Sequence, residues 1–137
     1  MPVRRLLLSL LLMKPSDLER LAKEEYCYLT TVGRVTGKPH RIEIWFGMDG
    51  NSVYLLSGNQ DASDWVKNLK KDPHIKVRIG KRTFPGRARI VIDDREDQGA
   101  RHLLAAKYYN WHPGRRLNSW AHNALPIALD LDPNWND

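Results

Sequence analysis

Residues 33–41 read GRVTGKPHR and separate two runs rich in β-branched and aromatic residues, Tyr26–Val32 and Ile42–Phe46. Such runs on either side of a glycine-containing segment predict two strands joined by a loop. Gly33 and Gly37 permit tight turning and the close approach of a ligand to the backbone. The loop also carries one hydroxyl group and three cations, which suit a phosphate. These are Thr36, Arg34, Lys38 and Arg41. The alternative is an exposed hairpin tip with solvated basic side chains.

The composition indicates a single globular domain over residues 1–137. Of the 137 residues, 42% are hydrophobic, and this length suits one core but is too short for two. The single cysteine, Cys27, excludes an internal disulfide and fits a buried thiol in a reducing compartment. The net charge of +6 indicates an anionic partner. That partner is a nucleic acid, a membrane surface or a small molecule that bears phosphate or carboxylate.

The N-terminal segment has the basic-then-apolar order of a signal peptide, because residues 4–5 are arginines and Leu6–Met13 is apolar. The apolar run is too short to span a bilayer, and no cleavage site of small residues follows it. We therefore expect a cytoplasmic protein in which residues 1–25 form a leader and a helix. Ser16 and Glu19 predict a capping box that opens this helix, which would end near Glu25. The leader would cover a sheet edge, contact anionic lipid weakly or be foreign to the domain.

Six strand-like segments predict a small antiparallel barrel. They are Tyr26–Val32, Ile42–Phe46, Val53–Leu56, Ile75–Ile79, Thr83–Ile92 and Leu125–Leu129. The first three would form a meander, with a hairpin turn at residues 49–50. The last would be an edge strand, since Pro126 is tolerated only at an edge or a strand start. The predicted fold class is mainly β (α+β), a six-stranded antiparallel barrel with short flanking helices.

Three helices are predicted between and after these strands. Capping oxygens of residues 61–64 precede Trp65–Leu69, and residues 72–73, Asp-Pro, end that helix. A longer helix opens after residues 93–94, and a short one surrounds Trp120. We interpret the acidic residues 93–97 as helix capping and not as a catalytic carboxylate pair. The five histidines have no metal-ligand spacing, so no metal site is predicted.

Three ordered motifs carry a resemblance to a known family. They are the loop Thr30–Arg41, the strand end Ser57-Gly58, and Trp65–Leu69 followed by Pro73. These resemble the T-T-x-G-R-x-[ST]-G loop, serine-glycine strand end and W-x-x-N-L helix of the deazaflavin-dependent nitroreductase family. The similarity extends to Trp120 and Ala124–Ile127 and covers most of the chain beyond the leader. That family belongs to the split β-barrel flavin and deazaflavin oxidoreductases, which are related to pyridoxamine 5′-phosphate oxidase-like FMN-binding proteins.

The resemblance implies an oxidoreductase that transfers a hydride from a reduced deazaflavin coenzyme, coenzyme F-420, to a quinone, a nitro compound or an enone. The phosphate end of the coenzyme would be held by Arg34, Thr36, Gly37, Lys38 and Arg41. The ring edge would meet Ser57, Gly58 and Asn59, with Trp65 and Asn68 beside it. No side chain is assigned a catalytic role, because the cofactor carries the chemistry. The implied partners are small molecules and a second copy of the chain, without nucleic acid.

The sequence departs from this family in two places. Asp64 replaces the proline that often precedes the helix tryptophan, and residues 114–119 replace the tyrosines that line the acceptor side in nitro-reducing members. The acceptor therefore cannot be carried over from the family. Two alternatives stay open: an FMN-binding reductase of the same fold, and a non-enzymatic nucleic-acid-binding barrel. The second would use a continuous stripe of cations along two strands, formed by Lys76, Arg78, Arg87 and Arg89.

Overall fold

The computed structural model describes residues 15–132, in which seven strands and a few short helices follow one another along the chain. The strands are β1 (Cys27–Val32), β2 (Pro39–Ile44), β3 (Gly47–Asp49), β4 (Ser52–Ser57), β5 (His74–Ile79), β6 (Arg82–Ile90) and β7 (Leu125–Leu131). The helices are α1 (Pro15–Ala22), a 3-10 turn (Gln60–Ala62), α2 (Asp64–Lys71), α3 (Asp94–Tyr109) and α4 (Ser119–Asn123). The apolar run of the leader lies outside the described residues. None of the helices within residues 15–132 is long and apolar enough to cross a membrane.

The seven strands form one antiparallel sheet in the order β2-β1-β5-β6-β7-β4-β3. β2 and β3 lie at opposite edges of this order, yet only Trp45 and Phe46 separate them in the chain. Three Cα–Cα steps span at most about 11 Å. The two edges must therefore approach each other, and the sheet curls into a split barrel, as predicted.

The strand count differs from the prediction because the segment Ile42–Phe46 is not one strand. It is interrupted at Trp45, where the chain passes from one sheet edge to the other, so the barrel has seven strands and not six. The predicted meander is wrong for the same reason. β1 and β2 form one hairpin and β3 and β4 form another at the opposite edge, and the second neighbour of β1 is β5.

The prediction that the last strand lies at an edge is also wrong. β7 lies between β6 and β4, and four consecutive residues, Pro126–Leu129, are buried. A strand covered on both faces has a continuous apolar sequence, which explains the apolar run of β7, whereas the edge was predicted from Pro126. Pro126 is the second residue of β7, close to the strand start at which a missing N–H is tolerated.

Two apolar clusters stabilise the barrel. The first fills the interior and includes Leu29, Val77, Phe84 and Leu129 from four different strands. Helix α2 packs on the same cluster through Val66 and Leu69. The second lies between the outer surface of β4 and β7 and helices α3 and α4. Its members are Tyr54, Leu56, Val91, Ala100, Leu104, Ala105, Ala121, Ala124 and Ala128.

The helix ends follow local hydrogen bonding. α1 ends at Ala22, earlier than predicted, and Ser16 lies within the helix and not at its N-cap. Asp93 caps α3 as predicted, because its side chain accepts a hydrogen bond from the Glu96 N–H.

Cys27 is fully buried at the start of β1, and burial raises the pKa of its thiol to about 12. The prediction of an inert thiol is consistent with the structure.

Candidate active site

The predicted phosphate loop, residues 33–38, is anchored to helix α2 through Asn68. Asn68 Oδ1 accepts hydrogen bonds from the Arg34 backbone N–H at 3.2 Å and from Arg34 Nη1 at 2.9 Å. Asn68 Nδ2 donates to Thr31 Oγ1 at 3.1 Å. Asp64, at the start of α2, accepts from Arg34 Nη2 at 3.0 Å. Since Asn68 and Thr31 are each only 2% exposed, these contacts fix the loop from inside the molecule.

The loop itself turns tightly beside an open cavity. Gly37 has φ of +75°, a conformation that favours glycine, and the Thr36 Oγ1 accepts a hydrogen bond from the Lys38 N–H. A cavity of about 400 Å³ is lined by residues 32–37 together with Lys71 and Asp72. Lys71 Nζ donates to the Arg34 carbonyl oxygen at 2.8 Å. The cations near this cavity thus come from both the loop and helix α2.

The end of β4 forms a turn that exposes a glycine. Ser57 is 2% exposed, and its Oγ donates to the Gln60 carbonyl oxygen at 2.7 Å and lies 3.0 Å from Ser63 Oγ. Gly58 is exposed, and a Cβ placed there would lie 3.6 Å from Trp120 Cδ1. The Ser57 hydroxyl therefore shapes the turn, while the backbone at Gly58 borders an open space next to an indole ring.

An aromatic cluster surrounds Trp120, and the sequence did not predict it as a unit. The ring of Trp45 stacks on Tyr108 at 4.3 Å between centroids and 5° between planes. Trp120 meets Trp45 edge-on at 5.5 Å, and Tyr109 lies 5.9 Å from Trp120. Tyr109 is 46% exposed, so the cluster has a solvent-facing side. Trp45 precedes Tyr108 by more than sixty residues, and only the closure of the barrel brings them together.

The cluster is fixed by polar side chains of α3 that reach the backbone. Tyr108 Oη accepts a hydrogen bond from the Phe46 N–H at 3.0 Å and donates to the Glu25 carbonyl oxygen at 2.7 Å. Burial raises the pKa of Tyr108 to about 12. Lys107 Nζ donates to the carbonyl oxygens of Glu24 and Phe46, and burial lowers its pKa to about 8. These bonds hold the backbone of Phe46, the residue after Trp45, against helix α3.

The family model for the F420H(2)-dependent quinone reductase matches residues 16–132. The chain belongs to this family. The reductase is therefore a deazaflavin-dependent oxidoreductase, as the sequence motifs predicted.

Solved structures share the fold of this reductase at low sequence identity. A candidate 5-nitroimidazole antibiotic resistance protein from Bacteroides thetaiotaomicron is 13% identical, with a TM-score of 0.70 over 88% of this chain and 81% of that one. A structure named F420 reductase is 21% identical, with a TM-score of 0.58 over 83% and 92%. An FAD-binding protein from Mesorhizobium loti is 13% identical, with a TM-score of 0.62 over 88% and 91%. These similarities establish the split barrel fold.

The structure of the reductase does not gather all the predicted site residues. The Arg41 guanidinium lies 4.5 Å from the ring centroid of Tyr28, so it stacks there and does not join the Arg34 contacts. Asn68 is buried and hydrogen-bonded to Arg34 and Thr31, so its side chain supports the loop. Trp65 is half-buried and packs against the barrel core. Asn59 is exposed next to Gly58, as a ring contact requires.

Two of the four cations in the predicted stripe are held by protein groups. Arg89 binds Glu96 at 2.6 Å and Asp130 at 2.7 Å. Arg78 donates to the Gly80 carbonyl oxygen and stacks on Tyr28.

Among residues 15–132 there is no group of three histidine, cysteine or acidic side chains that could hold a metal ion.

The residues present fit a deazaflavin coenzyme. Its flat apolar ring requires an open apolar surface, which the exposed side of the aromatic cluster and the bare backbone at Gly58 provide. Its anionic tail requires cations, which Arg34 and Lys71 provide at the loop cavity and the exposed Lys38 provides next to it in the chain.

Proposed function

We propose that this protein catalyses hydride transfer from reduced coenzyme F-420 to a quinone-type acceptor at the Gly58–Trp120 surface. The observation that carries the proposal is the exposed backbone of Gly58 next to Trp120, whose Cδ1 would lie 3.6 Å from a Cβ at position 58. When bound, the coenzyme supplies the hydride chemistry. The side chains of this chain bind the coenzyme, orient it and exclude water from the reacting face.

The ring side of the proposed site is formed by residues 57–59 and the aromatic cluster. A glycine at position 58 leaves the exposed backbone accessible to a flat ring, because the residue has no side chain of its own. Tyr109 is exposed at the rim of the cluster, where a planar acceptor would find an aromatic surface. Quinones and nitroaromatic rings are planar, and so is the conjugated part of a cyclic enone. We propose the quinone first because the family is a quinone reductase family.

The tail side of the proposed site is formed by the phosphate loop. Thr36, Gly37 and Lys38 are exposed at its tip, and Lys38 makes no side-chain hydrogen bond or ion pair within residues 15–132. Arg34 is held at 2.9 and 3.0 Å by Asn68 and Asp64, which orient its guanidinium before any ligand binds. A preformed cation costs less conformational entropy on binding than a free one. Arg41 is not included in this proposal, since it stacks on Tyr28.

We infer the wider partners from the family resemblance and the composition. We infer a homodimer and a cytoplasmic location, and a sedimentation experiment would reveal the dimer. The nucleic-acid alternative is disfavoured because Arg78 and Arg89, the two ends of the predicted cationic stripe, are occupied by protein groups, which leaves Lys76 and Arg87 between them. A weak membrane contact of the leader, which lies outside the described residues, would be tested by cosedimentation with anionic vesicles.

The test is a binding titration followed by a turnover assay. Purified protein is titrated with oxidised coenzyme F-420 and, in parallel, with FMN, and binding is followed by fluorescence. Reduced coenzyme F-420 is then mixed with menadione, a nitroaromatic compound or cyclohexenone, and its reoxidation is followed by absorbance. We expect binding of the deazaflavin and fastest turnover with the quinone. Tight binding of FMN without binding of coenzyme F-420 would support an FMN-binding reductase instead. Binding of neither compound would refute the proposed function.

A further inference from the structure

Gln60 connects the turn after β4 with the helix that carries Trp120. Its Nε2 donates a hydrogen bond to the carbonyl oxygen of Asn123, the last residue of α4, at 3.1 Å. The backbone carbonyl oxygen of Gln60 accepts a hydrogen bond from Ser57 Oγ at 2.7 Å. One residue therefore closes the turn that contains Gly58 and ties this turn to α4.

The backbone of Gln60 has an unusual conformation. Its φ is +55°, in the left-handed region that residues other than glycine, asparagine and aspartate rarely adopt. The only other described non-glycine residue with positive φ is Asn110, which is the C-cap of α3, where this conformation is common. Gln60 has no such helix end to explain its conformation, since it begins the 3-10 turn. Unfavourable backbone conformations persist where surrounding contacts hold them, and they concentrate at functional sites.

We propose that Gln60 is a positioning residue for the coenzyme ring, which sets the separation between the Gly58 backbone and Trp120. This inference rests on the proposed function of that surface. The two sides of the ring site belong to different elements, because Gly58 follows β4 and Trp120 lies on α4. The hydrogen bond from Gln60 to Asn123 joins these two elements directly through a side chain. Without it, the turn can move relative to the indole, and the ring meets a less complementary surface.

The test replaces the donor while keeping the side-chain length. Gln60→Glu substitutes an oxygen that cannot donate at neutral pH and that faces the Asn123 carbonyl, while Gln60→Lys restores an N–H donor. Lys67→Gln, an exposed position on α2, matches the charge change of Gln60→Glu and is the control. Two quantities are measured: the Kd for oxidised coenzyme F-420, and hydrogen exchange of residues 57–63 and 119–124 in the protein without coenzyme.

We expect Gln60→Glu to raise the Kd by about threefold to tenfold, the effect of one lost hydrogen bond, and to accelerate exchange in both segments. Gln60→Lys and Lys67→Gln should behave as the parent. Unchanged affinity in Gln60→Glu, or unchanged exchange, would overturn the inference while leaving the proposed function intact. A parent protein that binds neither deazaflavin nor FMN would overturn both, so the two failures are distinguishable.

Discussion

Removing the amide of Asn68 tests whether the phosphate loop is held from within the molecule. Asn68→Ala removes two hydrogen bonds to Arg34 and one to Thr31. A neutral hydrogen bond contributes about 1 kcal/mol and one to a charged group about 1.5–3 kcal/mol. Thr31 is 2% exposed and would lose its donor without access to water. The expected loss in unfolding free energy is therefore about 4 kcal/mol, which lowers Tm by about 10–15 °C for a chain of this size.

The assay is urea denaturation at neutral pH, with thermal unfolding as a second measurement. Lys67→Ala is the matched control, since Lys67 is exposed on the same helix and its truncation should change stability by less than about 0.5 kcal/mol. Asn68→Asp keeps an acceptor for Arg34, and the Thr31 hydroxyl can donate to it, so this variant should be more stable than Asn68→Ala. An Asn68→Ala protein as stable as the Lys67→Ala control would refute the reasoning.

The remaining predictions concern ligand binding and pH. Lys38→Ala should weaken coenzyme F-420 binding, measured by fluorescence titration, by about 1–3 kcal/mol without changing Tm. Arg41→Ala should weaken binding less, and an equal loss of binding free energy in both variants would place Arg41 in the site. Gly58→Val should fold with a Tm near that of the parent, because its Cβ would only touch Trp120 at 3.6 Å, but coenzyme binding and hydride transfer should collapse; a folded variant that binds as the parent does would remove Gly58 from the ring site. The pKa of Glu96 is lowered to about 2 by its hydrogen bonds from Arg89 and Tyr54, so its contribution to stability is complete above pH 4.5 and is lost as the pH falls toward 2. Glu96→Gln should make the unfolding free energy, measured by urea denaturation at a series of pH values, less dependent on pH in this acid range. An unchanged dependence on pH would contradict the role of Glu96. Cys27, with its raised pKa, should react with a thiol reagent at pH 8 only in the unfolded protein, and rapid native labelling would show that the barrel opens there.

Local sequence determined the secondary structure and the phosphate loop. The apolar alternation of Ile75–Ile79 corresponds to a strand with one face in the core, and Asp93 caps a helix as its type and position predict. Gly37 occupies a left-handed turn beside exposed Lys38, as a glycine in a basic loop suggests. These features depend on residues that lie close together in the chain, so short windows of sequence contain the necessary information.

The family motifs predicted the split barrel and the deazaflavin chemistry, but not the role of each motif residue. Asn68 was expected beside the ring, and its side chain is instead buried against Thr31 and Arg34. Arg41 was expected at the phosphate and stacks on Tyr28. A motif gives the order of residues along the chain, whereas the direction of each side chain depends on the strand register and on neighbours distant in sequence.

Tertiary structure alone decided how the sheet closes and which aromatic rings meet. The two-residue connector at Trp45 and Phe46 joins opposite edges of the sheet, which converts one expected strand into two and moves β7 into the interior. That closure brings Trp45 against Tyr108 and Trp120, which come from helices far along the chain. Strand order and ring packing depend on the free energy of burying surfaces that are remote in sequence. The amino-acid sequence by itself indicated most of the strands, the basic loop and the coenzyme class, and long-range packing decided how the strands pair and which rings meet at the candidate site.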